Sequence, residues 1–66
     1  MSDDASARLD VLAAEARYAR ERRDLYRARL LTGKAASPVR MRELERLHDQ
    51  TAERLAVARR EAARPA

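Results

Sequence analysis

The sequence predicts an all-α fold: an antiparallel two-helix hairpin of coiled-coil type, with two hairpins expected to associate into a four-helix bundle. Three observations carry this reading. Two long segments rich in strong helix formers flank one short interruption. Apolar residues recur in each segment at alternating spacings of three and four. The two series meet in register when the chain folds at residues 35–36. The hairpin is expected to form a single domain over residues 1–66.

The first helix is expected over about residues 4–31, a stretch with no Gly or Pro. Ser2 or Asp3 can cap it, and the acids of its first turns suit the positive end of the helix dipole. It should stop at Leu31-Thr32-Gly33, where Gly33 suits a left-handed C-cap. After a turn at residues 32–37, Ser37-Pro38 pairs a capping Ser with Pro at the first helical position. The second helix is then expected over about residues 38–63, closed by Pro65. Long helices joined by so short a linker pack antiparallel.

The hairpin seam can be written residue by residue. In the first helix it holds Leu9, Leu12, Ala16, Ala19, Arg23, Tyr26 and Leu30, with Ala5 ahead of them. In the second it holds Met41, Leu44, His48, Thr51, Leu55, Ala58 and Ala62. Folding pairs Leu30 with Met41, Tyr26 with Leu44, Arg23 with His48 and Ala19 with Thr51. Ala16 then meets Leu55, Leu12 meets Ala58, and Leu9 meets Ala62. Several layers set a small residue against a large one, as interdigitating positions require. The Arg23/His48 layer interrupts this pattern. One reading is a buried polar layer that fixes register or responds to pH through His48. The other is that Arg23 reaches outward on its aliphatic stem while His48 sits at the seam edge near an acid such as Asp24.

Filling the seam leaves Val11, Tyr18 and Leu25, spaced by seven on another face of the first helix. Leu31, Leu47, Ala52 and Val57 are also outside the seam. The stripe Val11, Tyr18 and Leu25 is the expected partner interface, for a second copy or for a helix of another protein. Chain length supports the same expectation. A chain of 66 residues with no Cys, Trp or Phe has a thin core and no disulfide to reinforce it. Association supplies the missing burial.

Charge is unevenly placed. Residues 1–16 carry one Arg against four acids, whereas residues 17–46 carry ten basic groups against four acids. Arg20, Arg23, Arg27, Lys34, Arg40 and Arg42 are the candidate phosphate contacts near the turn, the basis of an alternative reading as a nucleic-acid or nucleotide binder. Against it, Arg17 with Glu21 and Arg20 with Asp24 have the spacing to pair along the helix, and no aromatic stacking set is present.

No catalytic, cofactor-binding or metal-ligating residues are assigned, and an enzyme is not expected. His48 is the only His and there is no Cys, so ordinary zinc spacing is missing. Glu45, Asp49 and Glu53 form an acidic ridge, but Arg42, Arg46 and Arg54 are interleaved with it, as on a solvated face. A lone Gly in Thr32-Gly33-Lys34 is not a phosphate loop. The opening residues carry acids and no apolar run, unlike a signal peptide, and no stretch approaches the roughly 20 apolar residues of a membrane span. The expectation is a soluble, cytoplasmic protein with no membrane contact.

The run Glu21-Arg-Arg-Asp-Leu-Tyr-Arg-Ala-Arg-Leu-Leu-Thr-Gly-Lys34 resembles the arginine-rich helix of RsiG-like anti-sigma proteins of actinobacteria. That family consists of antiparallel helical hairpins that bind cyclic di-GMP and hold a sigma factor. The resemblance implies a bacterial hairpin with a role in transcription regulation by holding a partner. The family's ligand signature is Glu followed at helical intervals by Ser, Arg, Gln and Asp. Glu21 matches, but Leu25, Ala28, Thr32 and Ala36 stand at the other four places, so cyclic di-GMP is not implied. The Leu30-Leu31-Thr32-Gly33-Lys34 turn is also similar to that of small phage head–tail joining proteins, without their β-hairpin. That gives a further alternative, a component of a phage particle or other large assembly.

Overall fold

An uninterrupted run of helix formers lets the chain form one helix, α1, over Asp3–Leu31, and a second, α2, spans Pro38–Ala63. The computed structural model describes residues 3–35 and 37–64. The cap expected of Ser2, the fold point at Ala36 and the stop at Pro65 therefore lie outside the described residues. The fold is the expected all-α antiparallel hairpin, with no strand among the described residues. Its Cα atoms span 51 × 15 × 12 Å. The long dimension is close to that of one helix of this length at about 1.5 Å per residue, so each helix lies along the other.

The turn is built from three local devices. Gly33 takes φ +76°, a left-handed conformation that costs a residue without Cβ little. With Gly33 in that conformation, its N–H donates to Leu30 O at 3.3 Å and Lys34 N–H donates to Arg29 O at 2.8 Å, the paired bonds of a Schellman motif. At the other side Ser37 is extended (φ −108°, ψ 100°), and its Oγ accepts from Arg40 N–H at 3.1 Å. Pro38 follows where a missing N–H costs nothing. Tyr26 then ties the two sides together, its Oη donating to Ser37 O at 3.4 Å.

The core between the helices is narrow. Leu44 (3% exposed), Leu55, Ala19 and Thr51 are buried, and no large side chain is fully enclosed among the described residues. Leu9, Leu12, Ala16, Arg23, Tyr26, Leu30, Met41, His48 and Ala58 are half-buried along the same line. Ala62 differs from the expected seam: it is exposed, although it still lines a groove with Leu9 and Ala58. It stands next to the end of α2, where a methyl side chain has no further layer to cover it. Thr51 is a polar seam residue made harmless locally. Its Oγ1 donates to Leu47 O at 2.8 Å and His48 O at 3.0 Å, so the hydroxyl is satisfied within its own helix.

Candidate interaction face

The seam uses one side of α1, and the opposite side carries Val11, Tyr18 and Leu25 at 58%, 62% and 59% exposure. Arg22 sits one turn beyond Tyr18 with its guanidinium 5.6 Å from the ring centroid, a cation–π contact that holds the ring against the helix surface. The apolar residues of α1 consequently have almost no net direction around the helix axis, whereas those of α2 favour one side.

The structure adds residues from α2 to this region. A shallow groove of about 250 Å³ runs beside the seam and is lined by Tyr18 and Arg22 of α1 with Leu47 and Arg54 of α2. Further along, Leu12 and Val57 line a second groove of about 200 Å³. Leu47 and Val57 are 40% and 36% exposed. The sequence signal was present: Leu47 flanks seam residue His48 as Arg22 flanks Arg23, and flanking positions on one side of an antiparallel pair face each other. Glu15 and Arg54 obey the same rule, pairing across this side at 3.9 Å. Leu31 is 83% exposed at the end of α1, apart from these grooves, and Ala52 is exposed as well.

Both side chains of the polar layer are half-buried, Arg23 at 21% and His48 at 25% exposure, and each meets an acid of its own helix. Arg23 sends its guanidinium to its neighbour Asp24, with Nη2 at 2.7 Å and Nε at 3.0 Å from Oδ1, and leaves its stem against the seam. His48 faces Asp49, Nδ1 to Oδ1 at 3.4 Å, rather than the expected Asp24. The acid each residue meets is the next one along its own helix. The Arg23 hydrogen bond, helped by the charges of Arg23, Arg20 and Arg27, holds the Asp24 carboxyl below its ordinary value.

The candidate phosphate contacts are dispersed. Arg20 pairs with Asp24 at 3.9 Å, Arg27 crosses to Glu45 of α2 at 3.1 Å, and Arg40 pairs with Glu43 at 3.2 Å. With Arg23 on Asp24, four of the six are engaged by acids, while Lys34 and Arg42 are exposed. Arg17 and Glu21, the other pair expected along α1, are not within pairing distance among the described residues. A different set converges: Arg22, Arg29 and Arg40 line a groove of about 260 Å³ with Tyr26, Leu25 and Leu44. Arg22 and Arg29 belong to the arginine-crowded stretch of α1 but are outside the six candidate contacts.

The acidic ridge is split among separate partners, Glu45 with Arg27, Asp49 with His48, and Glu53 with Arg60 at 3.7 Å. Among the described residues no three His, Cys, Asp or Glu side chains are grouped to hold a metal ion. No described helix is long and apolar enough to cross a membrane. Comparison with known protein families, with curated proteins and with solved structures finds no match, so function has to be read from the chain's own residues.

Proposed function

We propose that this chain is a small non-enzymatic helical interaction module, acting through self-association or through a partner helix that docks on the second face of α1. The observation that supports it most is the exposure of Val11, Tyr18 and Leu25 along one heptad line while the seam is already filled from the other side. Single exposed apolar residues are ordinary on a soluble surface, but a line of them at helical spacing has the form of a helix-binding face. The thin core adds a reason for association, since a small hairpin gains stability from whatever covers that line. A regulatory adaptor of anti-sigma type is one form such a module takes.

Sedimentation velocity of the 7.5 kDa chain at micromolar concentration, alongside circular dichroism, tests self-association. A concentration-dependent dimer is expected. A helical, stably folded monomer at every concentration would overturn self-association and leave only the partner-helix form, for which Tyr18→Glu and Leu25→Glu should abolish capture of a partner.

A second reading, a binder of nucleic acid or a nucleotide, is favoured by the groove that gathers Arg22, Arg29 and Arg40 beside Tyr26. Guanidinium groups there suit phosphate oxygens. A salt-titrated binding assay with single-stranded oligonucleotide checks it: Arg29→Glu and Arg40→Glu should flatten a steep salt dependence. Absence of binding at low salt ends this reading.

A further inference from the structure

The second face of α1 has a register of its own. Val11, Ala14, Tyr18, Glu21, Leu25 and Ala28 follow one another at spacings of three and four, and all six are exposed. At 100° per residue, this series points about 160° away from the seam, so α1 presents two nearly opposite heptad faces. One face is occupied by α2. The other lies outside the seam, although Tyr18 and Leu25 each border a shallow groove that α2 also lines.

Charge says what fits it. Within α1, residues 3–16 hold Asp3, Asp4, Asp10 and Glu15 against a lone Arg8, while residues 17–31 hold six arginines against Glu21 and Asp24. The helix is therefore acidic at its start and basic at its end. A parallel neighbour of the same kind would set acid on acid and base on base. An antiparallel copy sets each half on its opposite and also opposes the helix dipoles.

We propose that α1 pairs with α1 of a second copy, antiparallel about a two-fold axis between residues 19 and 20. This rests on the self-association reading above. In that register Val11 meets Ala28 of the second copy, Ala14 meets Leu25, and Tyr18 meets Glu21, each contact occurring twice as two-fold symmetry requires. Large faces small at both apolar layers, as in the hairpin seam itself. The middle layer sets the Tyr18 hydroxyl, a donor, beside the Glu21 carboxylate, an acceptor. Because the two faces of α1 are nearly opposite, the four helices of this dimer form a flat row, α2, α1, α1, α2.

A cysteine-free chain allows a direct test by disulfide trapping. Val11→Cys/Ala28→Cys should form a disulfide-linked dimer in a glutathione redox buffer. Val11→Cys alone should trap at least tenfold less, because antiparallel pairing separates the two Val11 positions by about 25 Å at 1.5 Å rise per residue, far beyond disulfide reach. Leu25→Glu, at an exposed position that leaves the hairpin helical by circular dichroism, should raise the dimer dissociation constant at least tenfold. Efficient trapping of Val11→Cys alone would overturn the register in favour of a parallel pair. A dimer that ignores Leu25→Glu would overturn the face. In both cases sedimentation still reports a dimer, so self-association stands. A monomeric wild-type chain overturns the proposal together with the self-association on which it rests.

Discussion

The two helices have nearly equal mean hydropathy and similar lengths, yet they distribute their apolar residues in different ways. In α2, Leu44, Thr51 and Leu55 are buried against α1, and the exposed surface carries many charges with Val39, Leu47 and Val57 scattered among them rather than on one heptad line. In α1 only Ala19 is buried, while Val11, Tyr18 and Leu25 stand out on the far side. A helix with one apolar face needs one neighbour to be satisfied. A helix with two needs two, and the hairpin supplies only one of them. The difference separates stability from association: α2 should govern whether the hairpin folds, and the outer face of α1 should govern what it binds.

The largest expected effect follows from that division. Leu44→Ala removes the most buried large side chain and should cost about 2–4 kcal/mol, enough to leave a small hairpin substantially unfolded. Leu25→Ala, at 59% exposure, should change stability by less than about 0.5 kcal/mol when measured in dilute solution, below the concentration of association. Urea unfolding followed by circular dichroism compares the two. Equal destabilisation would erase the distinction between the helices.

The turn belongs to neither helix and should show intermediate effects. Gly33→Ala places a Cβ in open space, with nothing within 4 Å, so its cost is conformational: about 1 kcal/mol for holding φ near +76°. Ser37→Ala removes the hydroxyl that accepts from Arg40 N–H and should also cost about 1 kcal/mol, localised to the start of α2. Amide hydrogen exchange distinguishes them. The first should speed exchange at Lys34, whose N–H is bonded in the turn, and the second at Arg40.

These features also show what sequence could and could not reveal. The helix limits near the turn were legible because Gly33 and Ser37-Pro38 act locally, through backbone conformation and missing or added hydrogen bonds. The seam was legible because spacings of three and four persist over several heptads in both segments. The Arg23/His48 layer was not. Two long polar side chains choose between seam and solvent according to the nearest acid, and the sequence reading gave Asp24 to His48 when Arg23 takes it. Leu47 and Val57 were left out of the outer face for another reason. Their neighbours in space, Tyr18 and Leu12, belong to the other helix, so a heptad line read along α1 alone misses them even though the flanking positions of the seam place them.

Ion pairs across the hairpin should matter less than either device in the turn. Arg27 and Glu45 join α1 to α2 at 3.1 Å, but both side chains are about half exposed (51% and 47%). A double-mutant cycle with Arg27→Ala and Glu45→Ala should return a coupling of less than about 1 kcal/mol, decreasing with added salt. A larger, salt-insensitive coupling would mean that α1 is held to α2 by more than its seam.

The smallest effect concerns the one carboxyl whose titration is displaced. Asp24 is held below its ordinary value of 3.8, first by the hydrogen bond from Arg23 and then by the charges of Arg23, Arg20 and Arg27. Because the folded state favours the ionised form, the pair contributes stability above the ordinary value, and that contribution is lost as pH falls from it through the lower folded value. Solvent exposure keeps the contribution small. Asp24→Asn should therefore lower the urea midpoint slightly at pH 7, by an amount that shrinks at acidic pH as the wild-type carboxyl takes up its proton. The same pair also fixes where the half-buried Arg23 guanidinium sits beside the seam. If Asp24→Asn instead lowers stability equally at neutral and acidic pH, the neutral side chain has freed Arg23 to disturb its layer with His48. The seam side of α1 would then depend on a solvent-side contact, and its two faces would not be independent.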